Sequence, residues 1–295
     1  MSAPFTVRQS DALRLRKATV NDVVACGPIC YEAFTTLNRQ HSFPPDFPNV
    51  EVANHVLGWM FSHEKFYCLV AELDGKPVGS NCLDERSEIA GVGPITVDPA
   101  VQNKSVGRSL MLAVMDRAVE QKAAGIRLVQ MAFNNRSLSL YTKLGFDPKE
   151  PLSVMNGPAI VKTPHGYEVR AATNEDVESC VQLCHRVHGH SREAELRDGI
   201  AMGTARIAEY DGRITAYTSA LGFFGHAVAE NNRDLQALIS TAEQFLGPGI
   251  LVPTRNAALF RWCLEQGLRI VEPATLMSIG FYNEPTGAFL PSISF

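Results

Sequence analysis

Two segments of this chain carry nearly the same phrase. Residues 16–23 read RKATVNDV and residues 170–177 read RAATNEDV, 154 positions apart. Self-similarity at such a distance means that one structural unit is used twice, so the chain must fold as two related units and not as one large core. In each copy a strand-like lead (Leu13–Arg16, Tyr167–Arg170) precedes a threonine, with aspartate three residues on. Thr19 with Asp22 and Thr173 with Asp176 therefore predict two capping arrangements, each opening an amphipathic helix. Cys26 and Cys30 match Cys180 and Cys184, an i, i+4 spacing that puts each pair on one helix face.

The correspondence continues at changing offsets. AELDGKPVGS (71–80) echoes AEYDGRITAY (208–217), each predicting two strands joined by an Asp-Gly turn. NNRSLSLYTKLGF (134–146) parallels NAALFRWCLEQGL (256–268) at an offset of 122, so the second copy is the more compact in its middle. A Pro- and Gly-rich stretch, PLSVMNGPAIVKTPHG at 151–166, separates the copies. The expected domains are residues 1–160 and 161–295, a length suited to two cores.

Composition removes several function classes. Net charge is −4 and the pI about 6.1, which argues against a nucleic-acid binder held by a broad basic surface. Residues 1–22 hold no apolar run of signal-peptide length, and apolar stretches elsewhere are strand-sized, so neither a leader nor a membrane span is expected. Seven cysteines without a CxxC pair predict reduced thiols and a cytoplasmic setting.

In the first half the pattern predicts strands at 13–17, 67–73, 77–83, 90–97 and 126–132, and helices at 22–36, 51–62, 107–122 and 136–144. The Pro-rich 41–49 cannot be regular helix. The order β-α-α-β-β-β-α-β-α-β predicts an α/β (α+β) fold: in each unit a mixed, mostly antiparallel sheet flanked by helices.

Chemistry concentrates in VDPAVQNKSVGRSL (97–110). A strand, a loop of small residues and an exposed helix N-terminus form an anion site, because the first-turn N–H groups lack intrahelical partners and the dipole favours negative charge. Lys104 and Arg108 can add charge-assisted contacts. The plain alternative is a strand-to-helix connection. The order V-x-P-x-x-Q-x-x-[G/S]-x-G-R-[A/S]-L resembles the acyl-CoA signature of the GNAT N-acetyltransferase superfamily, here of a tandem type with a degenerate second domain. N-x-x-[A/S]-x-x-x-Y-x-x-x-G-F resembles its second signature, met by Asn134, Ser137, Tyr141, Gly145 and Phe146. One departure stands out: Ser105 occupies the position of the family loop's first glycine, where a positive φ would strain it.

The resemblance implies an acyl-CoA-dependent N-acyltransferase, with acetyl passing directly from acetyl-CoA to an amine on a small molecule or peptide, without metal. It implies a cofactor site made of Ile95, Thr96, Val97, Gln102, Asn103, Lys104, Ser105, Val106, Gly107, Arg108, Ser109, Asn134, Ser137 and Tyr141. The pantetheine arm would pair like an added strand along 95–97. Tyr141 is the implied acid at the departing thiolate. For the base that deprotonates the amine, Glu85 and Glu88 are candidates with Asp84 beside them and Glu32 farther off, although DERSE also reads as a solvated turn. The acceptor pocket falls on residues 31–65, with Tyr31, Phe34, His41, Phe43 and Trp59. The alternative function is an acyl-CoA-binding regulatory or scaffolding protein without turnover; a homodimer is left open.

The second copy keeps the punctuation and loses the signatures. GHAVAENNRDLQALISTAEQF (225–245) has no V-x-P and no Gln-x-x-[G/S]-x-G, and Cys263 stands where Tyr141 would. His185, His188 and His190, with Glu193 and Glu195 following, read as surface or capping groups and not as metal ligands. Cys263 reads as a buried, inert thiol. The tail 281–295 is expected to pack as an extended segment that lines the substrate cleft.

Overall fold

The computed structural model describes residues 13–102, 105–160 and 163–294. Strand β1 (Leu13–Lys17) leads through a short 3₁₀ turn into helix α1 (Val23–Gln40), which is followed by α2 (Val50–Ser62). The capping arrangements form in both halves. The Thr19 N–H and hydroxyl donate to the Asp22 carboxylate at 2.8 and 2.9 Å, and Thr173 does the same to Asp176 at 2.8 and 2.9 Å. Each carboxylate is also gripped by the arginine six residues earlier, Arg16 at 2.6 Å and Arg170 at 2.7 Å. That guanidinium holds each aspartate down at about 2.

Strands β2 (Phe66–Leu73) and β3 (Lys76–Asp84) meet at a two-residue turn in which Asp74 and Gly75 have φ of 51° and 75°. This left-handed pair matches the twist of the flanking strands. Asp211-Gly212 repeats it between β9 (Arg206–Tyr210) and β10 (Arg213–Thr218), with φ of 50° and 72°. The expected strand at 90–97 is broken into β4 (Ile89–Val92) and β5 (Thr96–Val97). Pro94 cannot donate to a ladder and Gly93 sits at φ 140°, so the two pieces take different partners. β4 runs parallel to β6 (Gly125–Met131), whereas β5, among the described residues, pairs only with β3. Beyond Val92 the chain leaves β6, and a cleft opens between the two.

Helix α3 (Val106–Glu120) follows β5, α4 (Asn135–Lys143) follows β6, and β7 (Asp147–Asn156) ends the first half. The second half repeats the order with β8 (Tyr167–Ala171), α5 (Val177–His188), α6 (Glu193–Ala201), β9, β10, β11 (Ala227–Ala229), α7 (Asn232–Ile239), β12 (Ile250–Pro253), α8 (Ala257–Glu265) and β13 (Arg269–Gly280). A last strand, β14 (Ala288–Leu290), belongs to the tail. The strands form two sheets flanked by helices: a mixed, mostly antiparallel one of nine strands, in which β4 and β6 run parallel, and a wholly antiparallel one in the order β14-β11-β10-β9-β8. The mixed sheet expected in the second half is therefore not formed there, because β12 and β13 join the first half's sheet. Cys26, Cys30, Cys180 and Cys184 all face the cores.

The halves do not separate at the connector. β13, from the second half, lies between β6 and β7 of the first and is antiparallel to both, while β7 also pairs with β12. The order β6-β13-β7-β12 interleaves two strands from each half in one sheet. Residue 160 falls between β7 and β8 along the chain, but the sheet runs across it.

Candidate acyl-transfer site

The cleft beyond β4 widens into a groove of about 720 Å³. Its floor is Ile95, Thr96 and Val97, its far wall is the start of α4, and one end is the N-terminus of α3. Of the sequence-predicted cofactor residues, Ile95, Thr96, Val97, Gln102, Ser105, Val106, Gly107, Arg108, Asn134, Ser137 and Tyr141 all line it. Ser109 does not, and Asn103 and Lys104 lie outside the described residues.

The local reasons are plain. Asp98 accepts from the Ala100 N–H at 2.8 Å, turning the chain after β5. Ser105 then adopts φ 61° and ψ 9°, the left-handed conformation that aims the next amides into the groove, and it gives α3 no side-chain cap. The first turn of α3 is therefore left for an outside anion. Gly107 approaches Val97 without hindrance. Gln102 accepts from Arg136 at 2.5 Å, bringing α4 toward the loop. Asn134 caps α4 by accepting from the Ser137 N–H at 3.1 Å, and Ser137 donates to Gln130 at 3.0 Å.

Tyr141 sits at the deep end of the groove, 7% exposed, with its ring edge-on to Phe146. Burial pushes its phenol above the ordinary range, so it stays protonated at neutral pH. Behind it lies a smaller cavity of about 110 Å³ that shares Phe34, Leu37, Ile95, Asn134, Ser137 and Tyr141 with the groove. Its other walls come from afar: Asp46 and Phe47 from the Pro-rich loop, Phe223 and Phe224 from the second half, and Ile293 and Ser294 from the tail. The tail is anchored there by the Ile293 N–H donating to the Phe223 carbonyl at 2.8 Å. Of the aromatics expected at the acceptor end, Phe34 and His41 reach these spaces, and Phe43 stacks on Phe133 at the groove wall. Tyr31 packs on the α1/α2 core, and Trp59 lies under Arg86.

The DERSE carboxylates are elsewhere. Glu85 is paired with Arg117 at 2.7 Å, Asp84 with Arg86 at 2.6 Å, and Glu88 accepts from the Ser191 N–H at 3.2 Å. Arg86 also reaches Asp198 at 2.9 Å, so this turn is a seam between the halves and not a solvated surface. Neither Glu85 nor Glu88 lines the groove or its inner cavity. Glu32 bonds the Thr36 hydroxyl at 2.8 Å on its own helix. Sequence reasoning passed over Asp46 and its neighbour Glu272. Their signal was a charged residue amid FPPDFP and another at an inward position of the apolar strand RIVEPATLM.

The second half has the corresponding gap, between β11 and β12, but the chain's own tail fills it. β14 pairs antiparallel with β11 through Ala227–Leu290, Val228–Phe289 and Ala229–Ala288, and its Ala288 and Leu290 share one core with Ile250 and Val252 of β12. The start of α7 is closed as well, since Asn231 accepts from the Asp234 N–H at 3.2 Å and the Asp234 carboxylate answers the Asn231 N–H at 3.1 Å. Cys263 is fully buried and its thiol is pushed up to about 12. His188 and His190, expected at the surface, are buried, because α5 turns inward at Gly189. Burial beside arginines keeps both neutral. Glu195 pairs with Arg192 and His226, and no group of metal ligands occurs among the described residues.

A strand splayed from its neighbour, an uncapped helix start and a buried tyrosine thus meet in one groove. The acetyltransferase (GNAT) family profile matches residues 31–146. An uncharacterized N-acetyltransferase of Methanocaldococcus jannaschii is 29% identical over 102 residues, which is 31% of this chain and 44% of its own. A putative acetyltransferase from Pyrococcus horikoshii superposes with a TM-score of 0.72 at 18% identity, covering 97% of both chains. A tandem GNAT protein from the clavulanic acid biosynthesis pathway superposes with a TM-score of 0.59 at 13% identity, over 91% of this chain and 98% of its own. Residues 31–146 thus carry the match to the GNAT family, and the chain as a whole has the fold of these two-domain structures. It spans less than half the length of the curated relatives it matches.

Proposed function

We propose that the protein transfers an acetyl group from acetyl-CoA directly to an amine, using one site in its first half. The observation that carries this reading is the convergence of three features on one groove: the uncapped start of α3, the unpaired edge of β5, and protonated Tyr141. The α3 amides from Val106 to Arg108, with Arg108 itself, would hold the pyrophosphate. The backbone of 95–97 would hold the arm, and an N–H of Thr96 or Val97 would face the developing oxyanion. Tyr141 is placed to protonate the departing thiolate.

The second half serves this site without duplicating it. Its own cleft is filled by β14, whereas Phe223, Phe224 and Ile293 wall the first domain's inner cavity. The test is to incubate the protein with acetyl-CoA and a panel of primary amines while following free thiol. Release that depends on amine supports transfer; tight acetyl-CoA binding with no release for any amine would leave a binding protein.

A further inference from the structure

The inner cavity contains one charged side chain, and that side chain has an unusual partner. Asp46 lines the cavity, and among the described residues every other lining side chain is neutral. It is fixed by Asn38, whose amide donates to Asp46 at 3.1 Å and to the Pro44 carbonyl at 2.7 Å. Behind it stands Glu272, only 1% exposed, brought in by β13 from the other half of the chain. Both Glu272 oxygens are shielded from solvent and receive no hydrogen bond from a protein N–H or hydroxyl. What they face is the Asp46 carboxyl group itself.

Two carboxyl groups in contact in an apolar interior cannot both ionise. Burial and the Asp46 charge push Glu272 up to about 9, so Glu272 keeps a proton at neutral pH and can donate it toward Asp46. Burial raises Asp46 as well, while the hydrogen bonds from Asn38 and Glu272 favour its charged form, so the pair has room for one negative charge at the wall of a cavity otherwise lined by groups such as Phe34, Phe47, Phe223, Phe224 and Ile293. A buried charge without a cation is unfavourable, and none of the described residues in the cavity wall supplies one.

We propose that Asp46, backed by Glu272, seats the acceptor: a small primary ammonium on an apolar body of about one ring. This rests on the acyl-transfer reading of the groove. The size follows from the 110 Å³ cavity, and the Phe223-Phe224 and Ile293 wall stands where a longer peptide would have to leave. Asp46 takes one proton from the ammonium, which frees the nitrogen lone pair. The nitrogen then bonds to the thioester carbon as the carbon–sulfur bond breaks, a second proton passes by way of Tyr141 to the thiolate, and Asp46 returns its proton to solvent. Amide, free thiol and one proton result. Glu272 touches no reacting atom; it positions Asp46 and its charge.

The test is calorimetric titration of the full chain, with and without CoA and without acyl donor. The probes are phenethylamine and its neutral counterpart 2-phenylethanol. The amine should bind at least 10-fold tighter than the alcohol. Asp46→Asn should abolish that preference while leaving alcohol binding unchanged, which also shows that the variant is folded. Glu272→Gln can still donate to Asp46 and should keep the preference. Equal binding of the two probes by the wild-type chain, or a preference that survives Asp46→Asn, would overturn the proposal. Amine-dependent thiol release without phenethylamine binding would sink this acceptor seat and leave the transferase standing; binding without any release would do the reverse.

Discussion

Replacing Ser105 by glycine should stabilise the protein, and by an amount that can be worked out beforehand. Ser105 holds φ 61°, ψ 9°, where the β-carbon of an L-residue costs about 1–2 kcal/mol. Glycine removes that penalty but loses more freedom on folding, about 0.5–1 kcal/mol. The hydroxyl is exposed and caps nothing, so no contact is given up. The net gain is about 0.5–1 kcal/mol, or a rise in Tm of roughly 1–3 °C for a chain of this size. Thermal melts followed by circular dichroism would measure it, with Ser105→Ala as the control that keeps the β-carbon and should gain nothing. A glycine variant no more stable than the alanine one would refute the strain argument.

Other outcomes follow from the same geometry. Tyr141→Phe should lower turnover by about 10²-fold while leaving the KM for acetyl-CoA nearly unchanged, as measured by thiol release. Asp22→Asn should destabilise by about 1 kcal/mol at pH 7, the half-exposed Arg16 being partly screened. Since Asp22 is held down at about 2, that difference is full above its unfolded value near 4 and should vanish as the pH falls from about 4 to 2 in urea melts. Truncation after Glu284 removes β14 and the Ile293 wall, so it should lower the Tm and raise the KM for the acceptor more than that for acetyl-CoA.

Much of this was legible in the chain because it is locally encoded. The Thr-x-x-Asp caps and the Asp-Gly turns each act over a few residues, and both took the expected form. The break at Gly93-Pro94 was visible as a proline inside a strand but was overridden by the apolar run around it. What escaped has no local signature. Asp46 and Glu272 lie far apart in sequence and meet only because β13 crosses to the other half. DERSE looked like solvent-facing charge, since the arginines that neutralise it and the second-half groups it meets come from elsewhere.

The interleaved strands have a consequence for how this molecule can be taken apart. Read from either end, β6-β13-β7-β12 is the same sentence, with β7 and β13 each lying between two strands of the other half. A cut in the connector between β7 and β8 would leave two fragments still knitted by β-ladders, so they should elute together and need denaturant to part. Either fragment made alone would have a vacancy beside β6 or β12 that a second copy of itself is shaped to fill. The second half is thereby irreplaceable: deleting it would unravel the sheet beside the groove.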